Sequence, residues 1–324
     1  MSTETMKALH LTKPSPDSPP KLALISVPKP SPKEGNVIVK IHASAIQPSD
    51  ILNIKGLFPY TTFPRIPGRD FSGVVTEGPA ELVGQEVYGT SGNLLSFTED
   101  GAHAEFVSVP IGAVAPKPKT LSWAQAATIG VPYTTASLAL KKAGVKSGDT
   151  VLVLGANGAV GGAAAQLAAS LGAKVLKGVR GDKGDVDTSG DPTLSALDEL
   201  TEKKGVNVVI DTVGQPPLTA AAAKKLGRGG RLAFITAPRS GDTTLGIEML
   251  DFYRLEKTLI GVNTLLYGVE DFVAEMKNMT PKFDEGSLTG PKEGEWNEVP
   301  LSDGVASYEK AGQRGGGKFV LVMA

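Results

Sequence analysis

The stretch of sequence that decides the fold runs from Thr150 to Gly162 and reads Thr-Val-Leu-Val-Leu-Gly-Ala-Asn-Gly-Ala-Val-Gly-Gly. A short apolar run, a turn with a glycine at every third position and a following run of small residues form the first half of a βαβ unit that binds dinucleotides. In such a turn the backbone can approach a pyrophosphate closely, and the N–H groups at the start of the helix bind its oxygens. The sequence therefore predicts a cofactor that contains a diphosphate.

Context strengthens this interpretation, because glycines also occur in tight turns for steric reasons alone. Ala156 stands at the first position of the Gly-x-Gly-x-x-Gly pattern, so the strict pattern is not met, and a structural turn without phosphate is the alternative. Residues 174–179 nevertheless have the composition of the second strand, which favours the cofactor. The expected phosphate-binding residues are Gly155, Ala156, Asn157, Gly158, Ala159, Val160 and Gly161.

Composition limits the class of protein. The 324 residues are 41% hydrophobic and 21% charged, which is typical of a globular chain long enough for two domains. A formal net charge of −1 predicts neither a nucleic acid nor an anionic membrane as a partner. The chain has neither a signal-peptide pattern nor an apolar run long enough to span a bilayer, so we expect a cytoplasmic location.

Two patterns divide the chain. Before Leu121, short extended runs alternate with proline clusters, which predicts a small β-rich domain. After it, strand patterns alternate with helical patterns, which is typical of a doubly wound parallel sheet. A final strand pattern at 317–322 is expected to return to the N-terminal domain. The expected divisions of the chain are 1–122, 123–267 and 268–324, and the strands expected in the middle division are 151–154, 175–179, 206–210, 231–235 and 258–262.

Several short motifs carry a resemblance to a known family. They are Gln47-Pro-Ser-Asp50, Pro64-Arg-Ile-Pro-Gly-Arg-Asp-Phe-Ser-Gly-Val74, Gly101-Ala-His-Ala-Glu-Phe106, Gly148-Asp-Thr-Val-Leu152, Asp211-Thr-Val-Gly214, Gly229-Gly-Arg-Leu232 and Gly317-Lys-Phe-Val320. With the glycine turn, their order resembles the medium-chain dehydrogenase/reductase superfamily, and specifically its zinc-free quinone oxidoreductase branch. The resemblance implies an α/β fold in which a GroES-like β-rich domain is closed by the C-terminal segment and a Rossmann domain is inserted between the two parts.

The residues at the family's zinc-binding positions argue against a metal. In zinc-dependent members, the catalytic ligands lie in the segments that match 46–50, 68–70 and 129–131. This chain has Gln47, Arg69 and Gly130-Val131 there, and it contains no cysteine. A guanidinium and an apolar residue cannot complete a tetrahedral zinc site. We therefore expect no bound metal, and we expect structural roles for the three histidines.

Residues 177–183, Lys-Gly-Val-Arg-Gly-Asp-Lys, bear on the choice of nicotinamide cofactor. NAD-specific sites place an acidic residue about 20 residues beyond the glycine turn, where it binds the ribose 2′-hydroxyl. That acid is missing at the strand end, whereas Lys177, Arg180 and Lys183 surround the expected position of a 2′-phosphate. An arginine matches Arg180 in related NADPH-dependent enoyl reductases. The sequence thus predicts NADPH, with a solvated basic loop as the alternative and Asp182 as the opposing feature.

One segment departs from the family pattern. Between the second strand and the strand at 206–210, relatives fit a helix, a third strand and a second helix. Residues 181–191 show no helical periodicity. We expect the helix after the second strand to be absent and the third strand to be reduced, which would leave the adenosine end of the site open.

The resemblance implies direct hydride transfer from the nicotinamide to a conjugated acceptor. Gln47 and Asp50 match positions that line the substrate site, and Tyr133 and Thr134 match the segment beneath the nicotinamide. A core position for Tyr133, and a helix-capping role for Asp50 at a helix of residues 51–55, are equally open interpretations. Further cofactor contacts are expected at strand ends and in the C-terminal segment, at Thr212, Val213, Gly214, Ile235, Thr236, Ala237, Gly317 and Lys318.

The proton donor separates the candidate activities. Relatives that reduce enoyl thioesters carry a tyrosine where this chain has Phe58, which has no ionisable proton, and Tyr60 is displaced by two positions and a proline. Water can protonate the oxyanion of a reduced quinone, so an NADPH-dependent quinone or enone reductase is the leading prediction. An enoyl-thioester reductase that uses Tyr60, and a non-catalytic NADPH-binding protein, stay open. The relatives also imply a homodimer with a small-molecule substrate.

Overall fold

The computed structural model describes residues 4–313 and 315–323, and the chain divides into two compact units. The first unit consists of the chain up to Val131 and from Leu265 onward, and the second consists of 132–264. The second unit is therefore an insertion within the first, which is the order of segments that the resemblance implies.

The first unit is rich in β-structure. Its strands are β1 (Thr5–Thr12), β2 (Lys21–Pro28), β3 (Asn36–Ala45), β4 (Phe71–Glu77), β5 (Glu86–Gly89), β6 (Phe106–Pro110), β7 (Val114–Pro116), β14 (Asn297–Pro300) and β15 (Phe319–Val322). Its helices are α1 (Pro48–Ile54), α2 (Trp123–Ala126), α8 (Glu270–Asp284) and α9 (Gly304–Ala311). In the described part of the chain, β1 and β2 form an antiparallel pair, and the larger sheet has the order β14-β15-β3-β4-β5-β7, with β6 also paired with β3.

Strand β3 organises the core of this unit. Its alternate side chains Val37, Val39 and Ile41 are buried and belong to one apolar cluster with Phe71 and Leu321, as expected for residues two apart on one face of a strand. Strand β15 runs antiparallel to β3 and parallel to β14. The predicted return of the C-terminal strand to the N-terminal domain is confirmed.

Helix α2 lies in the first unit, although the expected division at 122/123 assigned it to the second. The Trp123 ring stacks on His42 with the ring centroids 4.4 Å apart. The Ser72 hydroxyl donates a hydrogen bond of 2.6 Å to the Trp123 carbonyl oxygen. Ser122 and Gln125 form the capping box at the start of the helix. These contacts with β3 and β4 explain why the first unit extends to Val131.

The second unit is a parallel sheet with helices. Its strands are β8 (Thr150–Leu154), β9 (Lys174–Val179), β10 (Val186–Asp187), β11 (Val206–Asp211), β12 (Leu226–Phe234) and β13 (Thr258–Gly261), and its helices are α4 (Ala159–Ser170), α5 (Ala196–Leu200), α6 (Pro216–Lys224) and α7 (Met249–Leu255), with α3 (Gly130–Lys142) beginning at the boundary. Among the described residues the strand order is β10-β9-β8-β11-β12-β13, and the neighbouring strands are parallel. This is the doubly wound order, which reverses between β8 and β11, where ligands of such sheets bind.

The connection after β9 confirms the expected departure from the family pattern. Residues 180–185 form bends, β10 has two residues, and the following helix α5 has five. The carboxylate of Asp187 holds the connection by accepting hydrogen bonds from the Gly181 N–H at 2.8 Å and from the N–H and hydroxyl of Ser189. Backbone hydrogen bonds to one acidic side chain thus replace a helix at this edge of the sheet.

Helix α8 shows how helices pack in the first unit. Its buried side chains are Phe272, Val273, Met276, Met279 and Phe283, which recur at the spacing of one helical face.

In the part of the chain that the structure describes, no helix is both long enough and apolar enough to cross a membrane.

Candidate active site

Three segments that the sequence analysis singled out converge on the carboxylate of Asp70. Gln47 Nε2 donates to Asp70 Oδ2 at 2.9 Å, and Thr90 Oγ1 donates to Oδ1 at 2.6 Å. The Val131 N–H lies 2.9 Å from Oδ1 and 2.8 Å from Oδ2. Burial raises the pKa of Asp70 to about 6. Because every partner donates to it, the ionised carboxylate satisfies this arrangement at neutral pH.

Gly130 allows this convergence. A Cβ atom at this position would lie 2.5 Å from Asp70 Oδ1 and 2.9 Å from Cβ of Thr90. Such distances are shorter than van der Waals contact, so any other residue would displace the carboxylate or the start of α3.

The carboxyl group of Asp50 lies at the start of α1. Gln47 is the N-cap, Pro48 begins the helix, and Asp50 Oδ2 accepts the Gln47 N–H at 2.8 Å. The suggested helix at residues 51–55 is therefore wrong in its bounds, since Asp50 lies inside the helix and closes a capping box with Gln47. Only one of the two carboxylate oxygens takes part in the capping box. The other, Asp50 Oδ1, is buried without a hydrogen-bond partner among the described residues.

Burial raises the pKa of Asp50 to about 7. The positive charge of Arg69 opposes this rise, as does the hydrogen bond from Gln47, and the negative charge of Asp70 adds to it. The Asp50 carboxyl is fully buried. At neutral pH it is therefore divided between a protonated and an ionised form.

The guanidinium of Arg69 is buried beside these carboxyl groups. Its Nε donates to Ser91 Oγ at 2.6 Å, and its Nη1 donates to Ser49 Oγ at 2.9 Å. The guanidinium carbon lies 5.5 Å from the centroid of the Phe97 ring, within the range of a cation–π interaction. Burial lowers the pKa of Arg69, and the charge of Asp50 opposes this effect most strongly.

Aromatic side chains form the apolar part of this region. The Phe58 and Tyr60 rings lie 5.2 and 5.3 Å from the Phe97 ring, centroid to centroid, and 5.8 Å from each other. Phe58 is 9% exposed, whereas Tyr60 is 42% exposed. Tyr60 also interacts electrostatically with Arg69. The hydroxyl that Phe58 lacks is thus supplied nearby by Tyr60, in a more exposed position.

This donor set does not suit a zinc ion. The three positions offer an amide, a guanidinium and the backbone of Gly130 and Val131 in place of thiolate and imidazole ligands. In residues 4–313 and 315–323, no cluster of three histidine, cysteine, aspartate or glutamate side chains is placed to bind a metal. His103, the histidine of the Gly101–Phe106 motif, forms hydrogen bonds with the Ala45 carbonyl oxygen and with the Tyr308 hydroxyl. Burial lowers its pKa to about 4.

In the second unit, the glycine turn has the geometry of a phosphate-binding loop. Gly155 has φ +77°, and a Cβ atom there would lie 2.6 Å from Thr212 Oγ1. A Cβ atom at Gly161 would lie 2.1 Å from the Gly155 carbonyl oxygen, so the helix can approach the strand only with glycine there. Helix α4 begins after Gly158, and the N–H groups of its first three residues have no acceptor in the described part of the chain. These features fit a dinucleotide pyrophosphate.

The basic residues after β9 are exposed to solvent. Lys177 lies in β9, and Arg180 and Lys183 follow it. Three acids follow in the connection. Asp182 is exposed between Arg180 and Lys183, and Asp185 accepts the Lys177 N–H at 2.7 Å. Asp187 has a strongly lowered pKa because Ser189 and neighbouring backbone N–H groups bond to its carboxylate. Asp185 and Asp187 are therefore bonded within the connection, whereas Asp182 and the three cations are exposed to solvent.

The ends of β11 and β12 carry the remaining predicted cofactor residues. Thr212 donates through its hydroxyl to the Leu154 carbonyl oxygen at 2.7 Å. The N–H groups of Val213 and Gly214 bond to the buried Asp211 carboxylate. Beyond β12, Ile235 is half-buried, and Thr236 and Ala237 are exposed. Hydrogen bonds thus hold Thr212, Val213 and Gly214 in place where the strand order of the sheet reverses.

Two further predictions concern α3 and the C-terminal segment. Tyr133 and Thr134 are buried, and the Tyr133 hydroxyl accepts a hydrogen bond from Gln166 of α4 at 2.9 Å. Lys318 forms an ion pair with Glu295 at 2.7 Å and follows Gly317, which has φ +93°. Tyr133 is therefore a packed residue of its unit, and the Lys318 ammonium already has a carboxylate partner.

Sequence reasoning did not identify every residue at the first site. Asp70, Thr90, Ser49, Ser91 and Phe97 were absent from the predicted set. No local pattern marks them, because their contacts join positions separated by about 20 to 60 residues. One sequence feature could have pointed to this site. It is the pair Arg69-Asp70, two charged residues between a proline-glycine turn and a buried strand.

Comparisons with known proteins bear on both units. The profile of the alcohol dehydrogenase GroES-like domain matches residues 33–119, and that of the zinc-binding dehydrogenase family matches residues 159–281. A crystal structure of an alcohol dehydrogenase superfamily protein from Novosphingobium aromaticivorans superposes with a TM-score of 0.83 at 25% identity, covering 98% of this chain and 100% of that chain. The predicted fold class is confirmed.

Three curated relatives cover much of the chain. A zinc-type alcohol dehydrogenase-like protein of Schizosaccharomyces pombe is 44% identical over 322 residues, which are 99% of this chain and 98% of that protein. A quinone oxidoreductase of Homo sapiens is 28% identical over 318 residues, 91% of each chain. A 2-methylene-furan-3-one reductase of Solanum lycopersicum is 34% identical over 227 residues, 65% of this chain and 57% of that protein. The relatives thus include reductases of quinones and of a conjugated ketone.

Proposed function

Because the chain belongs to the medium-chain dehydrogenase/reductase superfamily and is an oxidoreductase with a nicotinamide cofactor, we propose that it is an NADPH-dependent, zinc-independent reductase of quinones or other electron-poor enones. The observation that carries the proposal is the buried Asp50 carboxyl group, whose Oδ1 has no partner among the described residues. It interacts electrostatically with the Asp70 carboxylate, which Gln47, Thr90 and Val131 hold by hydrogen bonds.

The chemistry requires one hydride and one proton. The nicotinamide cofactor supplies the hydride when it is bound. Asp50 in its protonated form donates the proton to the oxyanion of the reduced acceptor, becomes a carboxylate, and regains a proton from water. A pKa of about 7 suits this cycle, because a general acid is most efficient when its pKa lies near the working pH.

Electrostatics at the end of β9 support NADPH over NADH. Lys177, Arg180 and Lys183 offer three cations to a 2′-phosphate. The acid that binds the ribose 2′-hydroxyl in NAD-specific sites is missing at this strand end, where the chain has Arg180. Charge-assisted hydrogen bonds of this kind favour the phosphorylated cofactor.

Reduction of enoyl thioesters is the second candidate. It is favoured by Tyr60, which is 42% exposed and within electrostatic reach of Arg69. A phenol beside a cation is a suitable proton donor to the carbon that must be protonated in that reaction. Phe58, at the position of the donor in such relatives, has no proton to give.

The test is steady-state oxidation of NADPH and NADH by the full chain with a panel of quinones, enones and enoyl-coenzyme A thioesters. We expect quinones and enones to react well and enoyl thioesters poorly, and we expect Phe58→Tyr to raise only the enoyl activity. A positioned acid contributes 10²–10⁴-fold to a step that needs it.

Two outcomes contradict this proposal. Wild-type protein that reduces enoyl thioesters efficiently, and loses that activity in Tyr60→Phe, would be an enoyl reductase. Protein that binds NADPH without oxidising it in the presence of any acceptor would be a non-catalytic binding protein.

A further inference from the structure

Arg69 is an unusual residue to find buried in this site. Its side chain is 3% exposed. Two of its nitrogens bond to Ser91 and Ser49, but Nη2 has no hydrogen-bond acceptor among the described residues. Nη2 does not belong to the buried polar atoms that lack a partner, so solvent reaches this end of the guanidinium. The structure therefore holds a charged donor ready for an acceptor that it does not itself contain.

The neighbouring carboxyl groups do not fill that role. In the described part of the chain no carboxylate oxygen lies within 4 Å of an Arg69 nitrogen, although Asp50 and Asp70 both interact with it electrostatically. Asp70 is already engaged by Gln47, Thr90 and Val131. A buried cation near two carboxyl groups, without a direct ion pair, retains its capacity to bind an anionic oxygen.

We propose that Arg69 binds the carbonyl oxygen of the acceptor through Nη2 and stabilises the negative charge that develops on that oxygen during hydride transfer. This rests on the proposed function, and it deepens it by naming the residue that binds the acceptor's carbonyl oxygen. The hydride adds to the conjugated system, the electron pair of the carbonyl π bond moves to the oxygen, and Asp50 then protonates the oxyanion. Arg69 stays protonated throughout and is neither oxidised nor reduced.

The surroundings of Arg69 explain why an arginine is required. Ser91 and Ser49 fix the guanidinium through two different nitrogens, and the Phe97 ring lies 5.5 Å from its central carbon. A planar guanidinium held in this way aims its free N–H groups in one direction. A lysine would keep the charge but could not make the same pair of serine contacts while presenting a further fixed donor.

A binding experiment tests this role without requiring turnover. The probe is 4-nitrophenol, whose coloured phenolate resembles the oxyanion of a reduced acceptor, titrated with the full chain with and without oxidised NADP. We expect the bound phenol to ionise about one pH unit or more below the free phenol, because an opposite charge within a few Å stabilises the anion. A wild-type protein that binds no phenol, or binds it without this shift, overturns the proposal.

Variants assign the shift to Arg69. Arg69→Gln should abolish the shift, and Arg69→Lys should retain part of it. Arg65→Gln is the matched control, because Arg65 is a half-buried arginine four residues earlier whose guanidinium is paired with Asp100 at 3.0 Å; it should leave the shift unchanged. A folded Arg69→Gln protein that shows the wild-type shift overturns the proposal, and the wild-type and Arg69→Lys titrations decide the matter if Arg69→Gln does not fold.

Kinetics separate this proposal from the proposed function. In Arg69→Gln, kcat for enones should fall about 10²–10³-fold, as for the loss of one oxyanion donor, while the KM for NADPH is unchanged. Failure of the wild-type protein to reduce any quinone or enone would refute the proposed function while leaving the phenol titration as an independent test of Arg69. A folded Arg69→Gln enzyme with wild-type kcat would refute the role of Arg69 alone.

Discussion

The substitution Asp50→Asn is expected to remove a pH-dependent loss of stability. The Asp50 carboxyl has a folded-state pKa of about 7, against 3.8 for the unperturbed group. Between these values the folded protein keeps a proton that the unfolded chain has released. The free energy of unfolding therefore falls as pH rises through this window, and the contribution of the protonated carboxyl is fully lost above about pH 7.

The size of the effect follows from the two pKa values. Each pH unit between them lowers the free energy of unfolding by about 1.36 kcal/mol. From pH 5 to pH 8, Asp50 should account for a loss of about 2 to 3 kcal/mol. Asparagine cannot ionise, and its side-chain oxygen can still accept the Gln47 N–H. The free energy of unfolding of the variant, relative to that of wild type, should therefore rise by about this amount from pH 5 to pH 8.

The assay is urea unfolding at pH 5 and pH 8, followed by tryptophan fluorescence. The chain has two tryptophans, Trp123 and Trp296, and both lie in the unit that contains Asp50. The signal therefore reports on this unit and not on the sheet of the second one.

Two substitutions serve as controls. Asp17→Asn, at an exposed site of the same unit, should leave the pH dependence of wild type unchanged. Asp70→Asn should lower stability at pH 8 by about 1–3 kcal/mol, because there the ionised carboxylate accepts from every partner, and an amide N–H₂ would face a donor in its place. Equal losses of stability in Asp50→Asn and wild type between pH 5 and pH 8 would refute the raised pKa of Asp50 as the source of the effect.

Three further outcomes are expected. Purified protein should contain no stoichiometric zinc by elemental analysis and should keep its activity in a chelator, whereas one tightly bound zinc per chain that activity requires would contradict the description of the site. Arg180→Ala should weaken NADPH binding by about 1.5–3 kcal/mol, as measured by calorimetry, and barely change NADH binding, with the exposed Arg228→Ala as a control; an unchanged preference would mean that the basic loop is only solvated. Gly161→Ala should impair cofactor binding because its Cβ would lie 2.1 Å from a carbonyl oxygen, whereas Gly162→Ala, with its nearest contact at 3.5 Å, should be tolerated; equal affinities for the two variants would count against the phosphate-binding turn.

The parts of the fold that depend on local pattern could be predicted from the sequence. The strand, turn and helix from Thr150 to Ser170, and the missing helix after β9, follow from apolar runs, glycine spacing and helical periodicity. The first division was placed too early, because the strand-and-helix pattern after Leu121 does not reveal that Trp123 packs on His42. Short helices such as α2 take their place from tertiary contacts rather than from sequence pattern.

The candidate site could be predicted only in part. Gln47 and Asp50 follow from a family motif, and Arg69 was recognised as a residue that cannot bind zinc. Their relation to Asp70 was not visible, because it depends on hydrogen bonds between distant segments and on space left by Gly130. The raised pKa of Asp50 also arises from burial, which no motif encodes.

The position of β15 has a consequence for synthesis of the chain. The strand lies between β14 and β3, and the Phe319 carbonyl oxygen accepts the Ile46 N–H one residue before Gln47. The ribosome therefore releases the whole contiguous second unit before the segment that completes the sheet beside Gln47 and Asp50 has been made. Pairing across more than 270 residues is slow to form, so the parallel sheet of the second unit can fold during translation while the site at Gln47 and Asp50 waits for the last strand. The order of synthesis thus allows the second unit to form before the first unit is complete.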